Sequence, residues 1–171
     1  MKIKIITTGG TIDKLYFDAK SQYQVGDPQV GEVLKEANVA VEYDVLSLMR
    51  KDSLDLTDAD RGRIFQAVAE CAESRVIVTH GTDTMIQTAL VLARIPDKTV
   101  VLTGAMQPAK FRYTDAVFNI GAAVTAVQLL SPGIFIAMNG RIFDPHNSRK
   151  NVDLNRFEER NGPKTGPVKQ P

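Results

Sequence analysis

Thr11 and Thr82 each directly follow a glycine, and each has an aspartate within two residues. Ile3-Lys4-Ile5-Ile6 leads into Thr7-Thr8-Gly9-Gly10-Thr11-Ile12-Asp13, and Arg75-Val76-Ile77-Val78 leads into Thr79-His80-Gly81-Thr82-Asp83-Thr84. A third apolar run, Thr99-Val100-Val101-Leu102, ends in Thr103-Gly104-Ala105-Met106. A threonine hydroxyl attacks an electrophile once a neighbouring group takes its proton. Glycine lets the backbone turn sharply and approach a ligand closely. Two hydroxyls delivered on glycine turns at strand ends point to a paired nucleophile site. Spacing alone leaves plainer readings open. Thr8 to Asp13 also reads as an ordinary strand–helix turn, and Asp83 as a helix cap or first-turn acid. The glycines lack the GxGxxG and GK[ST] spacings of phosphate-binding loops. His80 has no second ligand at metal spacing and reads as structural.

These residues need a sheet to hold them. Strands are expected over residues 2–7, 39–48, 75–79, 98–103 and 133–138. Helices are expected from Asp27-Pro28, from Thr57, over 83–94 and over 115–130. Alternation of this kind implies an α/β domain: a doubly wound, flavodoxin-like, mostly parallel five-stranded sheet with helices on both faces. Ligands then bind at the carboxyl ends of the strands, where the threonines lie. Residues 8–26 and 49–56 read as loops, the first long and polar enough to be a lid. The domain is expected over 1–160, and the Gly/Pro-rich residues 161–171 as a disordered tail.

With 171 residues, 43% of them apolar, the chain can bury a real core. A formal net charge of +1 gives no argument for nucleic acid or an anionic membrane. No run approaches membrane-spanning length and no signal peptide is evident, so a cytoplasmic protein is expected. The single cysteine, Cys71, is expected buried inside a helix.

Thr7-Thr8-Gly9-Gly10-Thr11-Ile12 and His80-Gly81-Thr82-Asp83-Thr84 resemble the two signature motifs of the bacterial-type L-asparaginase/glutaminase family. Gly104-Ala105-Met106-Gln107-Pro108 resembles a third. The resemblance covers roughly residues 1 to 155. It implies hydrolysis of L-asparagine, and more weakly L-glutamine, to the acid and ammonia through a threonine acyl-enzyme, with no metal or organic cofactor. Thr11 is then the nucleophile. Tyr23, in a segment resembling the family's mobile loop, takes its proton, with Tyr16 the second choice. Thr82 is the second catalytic threonine, and Asp83 a buried carboxylate that holds the substrate α-ammonium. Lys150, in Phe143-Asp144-Pro145-His146-Asn147-Ser148-Arg149-Lys150, completes that triad. Gly10 is expected to line the substrate, Ser53 to bind its α-carboxylate and Ala105 to offer a backbone carbonyl. Leu54 departs from the family, where a polar residue is frequent.

A homo-oligomer, dimer or tetramer, is also expected. The surplus apolar surface of Ala116–Leu130 is expected to pack against a second copy. Family members are usually longer, with a C-terminal domain that adds an acidic ligand from a neighbouring subunit. Three alternatives stand beside hydrolysis. They are a non-catalytic amino-acid-binding module, an ammonia-generating subunit of a tRNA amidotransferase, and a fragment of a two-domain enzyme.

Overall fold

The computed structural model describes residues 1–17 and 22–160. The expected tail, 161–171, lies outside them. The main sheet has six strands: β1 (Lys2–Gly9), β4 (Glu42–Lys51), β5 (Arg75–Thr79), β6 (Thr99–Thr103), β7 (Gly133–Met138) and β8 (Arg141–Phe143). Their order is β4-β1-β5-β6-β7-β8. The first five are mutually parallel, and β8 pairs antiparallel with β7 at the edge. Among the parallel strands the order is second, first, third, fourth, fifth in the chain, which is the flavodoxin-like order. The expected sheet of five therefore gains a sixth strand.

Alternation along each strand divides the core in two. Val76, Val78, Val100 and Leu102 face one side, and Ile77 and Val101 the other. The first side is covered by α2 (Asp58–Glu70) and α3 (Met85–Leu92), through Ile64, Val68, Met85, Ala89 and Leu92. The second is covered by α1 (Val30–Glu36) and α4 (Ala116–Leu129), through Val30, Leu34, Ile120, Ala123 and Val127. Each such fully buried aliphatic side chain contributes roughly 1.5–3 kcal/mol. The helices follow from their sequences. Thr57 and Asp60 form a capping box at α2, with Thr57 Oγ1 accepting from the Asp60 N–H and Asp60 Oδ2 from the Thr57 N–H.

Several boundaries differ from those read in the sequence. β4 is displaced C-terminally from 39–48, because its ladder with β1 runs from Lys2↔Glu42 to Gly9↔Lys51. α1 starts at Val30, beyond Asp27-Pro28, where the Asp13 carboxylate accepts the Gln29 N–H at 2.8 Å. α3 starts at Met85, so Asp83 precedes the helix and Thr84 stands at its N-cap. Cys71 is half-buried at the C-cap of α2 instead of buried within the helix.

The expected loop 8–26 is ordered at both ends. It holds a short 3₁₀ turn (Thr11–Asp13) and an antiparallel hairpin of β2 (Lys14–Phe17) and β3 (Gln22–Val25). Residues 18–21 lie outside the described residues. Beyond the sheet a second antiparallel hairpin, β9 (Ser148–Asn151) with β10 (Arg156–Glu159), carries Lys150.

Candidate active site

The site is built at the carboxyl ends of the parallel strands. Gly10 leaves β1 at φ 89°, and a Cβ there would lie 2.4 Å from the Gly81 nitrogen. A Cβ on Gly81 would lie 2.5 Å from Ser53 Oγ. The loops after β1, β4 and β5 therefore meet at contacts that only a bare Cα permits. The Thr84 hydroxyl donates to the Ser53 carbonyl at 2.7 Å, which ties the loops after β4 and β5 together. The Ala109 N–H donates to the Ile12 carbonyl at 3.0 Å, which ties the loop after β6 to the turn bearing Thr11.

On this frame Thr11 is half-buried at the start of the 3₁₀ turn. Thr82 is buried, and its Oγ1 accepts from Lys150 Nζ at 2.8 Å. The same Nζ donates to Asp83 Oδ1 at 2.6 Å. Thr82, Asp83 and Lys150 thus form one cluster. A lysine so placed can move a proton to or from the hydroxyl while the carboxylate holds the ammonium in position. The expectation of a buried Asp83 fails. Its side chain is 42% exposed, because it precedes α3, while that of its partner Lys150 is largely buried.

Ser53 is 1% exposed, and its hydroxyl has no hydrogen-bond partner among the described residues. A buried hydroxyl left in that condition costs free energy unless a ligand meets it. Leu54 points to solvent, 71% exposed. The Gly10 N–H already donates to the Lys51 carbonyl at 2.9 Å, so Gly10 contributes shape and its amide is engaged elsewhere. Tyr23 stands half in solvent on β3, its ring centroid 6.2 Å from that of Phe111. Tyr16 pairs with it across the hairpin. Two ion pairs fasten the hairpin region to the end of β4: Lys14–Asp52 at 2.6 Å and Arg50–Asp27 at 2.7 Å.

Ala105 is buried in a loop held from both sides. The Gly104 carbonyl accepts from Asn119 Nδ2 at 3.0 Å, and the Met106 N–H donates to the Asp115 carboxylate at 3.0 Å. Neither Asp115 nor Asn119 stands out in the motifs. Their signal in the sequence is a polar pair four residues apart beginning an otherwise apolar helix. Asp13, which the first motif does include, has a buried carboxyl pushed up to about 6 by desolvation, against the lowering effect of the Gln29 N–H.

His80 is structural, as its motif suggests. Its Nδ1 lies 2.7 Å from the Gly81 carbonyl and must donate there, so Nε2 accepts from the Thr88 hydroxyl at 2.8 Å. Burial holds it down to about 4, hence neutral. Among the described residues no cluster of His, Cys, Asp and Glu could hold a metal ion.

The family model described as "Asparaginase, N-terminal" matches residues 2–170. An L-asparaginase of Thermococcus kodakarensis is 32% identical over 99% of this chain and 54% of its own length. A glutamyl-tRNA(Gln) amidotransferase component of Thermoplasma acidophilum is 32% identical over 85% of this chain and 37% of its own. The solved structure of the thermostable L-asparaginase from Thermococcus kodakarensis superposes with a TM-score of 0.81 at 27% identity, covering 93% of this chain and 51% of that one. The chain thus spans about half the length of the L-asparaginases it matches.

Proposed function

Because the chain belongs to the asparaginase N-terminal domain family, we propose that it hydrolyses L-asparagine to L-aspartate and ammonia. The observation that carries this reading is the Lys150 ammonium bonded at once to Thr82 and Asp83. That bond supplies a hydroxyl with a proton carrier beside the loop of the other threonine. In this mechanism Ser53 and Asp83 hold the substrate α-carboxylate and α-ammonium. Thr11 Oγ attacks the side-chain amide carbon while Tyr23 takes its proton. Backbone N–H groups following the glycines stabilise the oxyanion. The C–N bond breaks and ammonia leaves with the transferred proton. Water, activated at Thr82 and Lys150, then cleaves the acyl ester and restores Thr11. Ammonia release from asparagine by the purified chain tests the reaction. Binding of asparagine without turnover would make the domain an amino-acid-binding module.

The likeness to a tRNA amidotransferase component supports a second reading, with glutamine as the ammonia source. Steady-state kinetics on both amides separate the two. Fixing the α-groups at Ser53 and Asp83 sets the reach to Thr11, so asparagine should be favoured by at least about tenfold, since one extra methylene misplaces the carbon. A kcat/KM for glutamine within threefold of that for asparagine would favour the second reading.

We also propose a homo-oligomer, dimer or tetramer, in the cytoplasm. Val117 (51% exposed), Phe118 (63%) and Leu129 (79%) leave the outer face of α4 apolar and open, with Ile142 beside it. Gly121 and Ala122 between them would let a second copy's helix approach closely. Sedimentation at micromolar concentration tests this, and a fully active monomer of 18.8 kDa would refute it.

A further inference from the structure

Lys150 does not stand on the main sheet. It sits on the β9–β10 hairpin, a separate two-stranded sheet that must be held against the molecule by something else. The exposed ion pairs on this hairpin, Arg141–Glu159 and Arg149–Glu158, are of the kind that contributes little. Two better-protected contacts hold β10. The Phe157 ring is buried and packs at 6.2 Å from Phe143. The Phe157 N–H donates to Asn139 Oδ1 at 2.9 Å. Phe157 lies directly across from Lys150 in the hairpin register. Its N–H is turned away from β9, which makes this a non-hydrogen-bonded pair, the closer-spaced kind. Whatever fixes Phe157 therefore fixes the Cα of Lys150 next to it.

Asn139 suits that task for two reasons. It begins the two-residue turn Asn139-Gly140 between β7 and β8, with φ 52° there and 76° at Gly140. Asparagine tolerates that left-handed backbone where most residues do not. Its own N–H donates to Asn119 Oδ1 at 3.1 Å. Asn119 is fully buried and also bonds the Gly104 carbonyl and Asp115. One short chain of amides thus joins the loop before Ala105 to the hairpin bearing Lys150.

We propose that Asn139 is a positioning residue, whose side-chain oxygen sets the hairpin so that Lys150 reaches Thr82. The proposal rests on the catalytic reading of Lys150, and its test is built to fail separately from that reading. Asn139→Gly keeps the left-handed turn and removes the acceptor. Asn139→Asp keeps both. Each is compared with the wild-type chain in asparagine kinetics, in amide exchange at Phe157, and in the side-chain ammonium signal of labelled Lys150 followed by NMR. Asn139→Gly should lower kcat at least about tenfold, as a displacement of about 1 Å can, with KM within threefold. Its Phe157 amide should exchange at least tenfold faster, and the Lys150 ammonium signal should shift as its bond to Thr82 is lost, while melting changes little. Asn139→Asp should restore all three readouts to near wild type. Unchanged exchange and an unchanged Lys150 signal in Asn139→Gly would overturn the proposal, as would failure of Asn139→Asp to rescue them. If the wild-type chain releases no ammonia, the catalytic reading falls. The exchange and the Lys150 signal still decide whether Asn139 places Lys150.

Discussion

Ser53, proposed to hold the substrate α-carboxylate, carries a structural burden. Its hydroxyl is buried without a partner, at a desolvation cost of roughly 1–3 kcal/mol. Ser53→Ala should therefore melt no lower than the wild type, and up to a few degrees higher. Its kcat/KM for asparagine should fall about tenfold or more, mainly through KM, because the α-carboxylate loses a donor. A lower melting temperature, or unchanged KM, would contradict this. Thr11→Ala and Thr82→Ala should each remove nearly all turnover at small cost in stability, since a methyl group cannot replace a nucleophile. Near-normal turnover in either would end the assignment of that residue. At this scale the sequence is informative where chemistry demands a residue type. Thr82, Asp83 and Lys150 meet, although Lys150 and Thr82 are 68 residues apart. It is silent where geometry decides. The exposure of Asp83 and the engaged N–H of Gly10 depend on where α3 begins and on which carbonyl β4 presents.

Among the elements, the central parallel strands β1, β5 and β6 are legible because their β-branched runs are buried on both faces. The short edge and hairpin strands are not. Ser148-Arg149-Lys150-Asn151 is wholly polar and gains its form from pairing with β10. β8 does leave a trace, because Asn139-Gly140 between the apolar run ending at Met138 and Arg141-Ile142-Phe143 is a two-residue hairpin signal. The β2–β3 hairpin reads as loop since its alternation is short and charged. Its role as a lid becomes testable through the Lys14–Asp52 pair. Saturating aspartate should raise amide protection over residues 14–17 and 22–26 in the wild-type chain. Lys14→Met should speed exchange there without ligand and change thermal stability by less than about 1 kcal/mol, as expected for a partly exposed pair. Equal protection with and without aspartate would argue against closure.

For the molecule as a whole, two buried groups oppose each other in acid. Asp13 titrates at about 6 in the fold against an ordinary 3.8. Between those values the native state keeps a proton that the unfolded chain has lost, so stability falls as pH rises through the window. His80 titrates at about 4 against 6.5. There the unfolded chain binds the proton and the native state does not, so stability rises with pH. Each effect is on the order of 3 kcal/mol, at 1.36 kcal/mol per pKa unit, and the two oppose each other between about pH 4 and 6. Asp13→Asn should leave His80 unopposed. Its melting temperature should climb with pH more steeply over that range than that of the wild type. Parallel calorimetric profiles for the two would refute the account. The wide chain separation between Lys150 and Thr82 also bears on the order of events during folding. Half of the main sheet, β6 to β8, lies between them, and such non-local closures come late. A polypeptide still emerging from the ribosome would be inert toward asparagine until the segment around residue 150 had docked. On refolding, ammonia release should return with the slowest phase and lag the recovery of far-ultraviolet dichroism, which makes catalysis a clock for the last step of assembly.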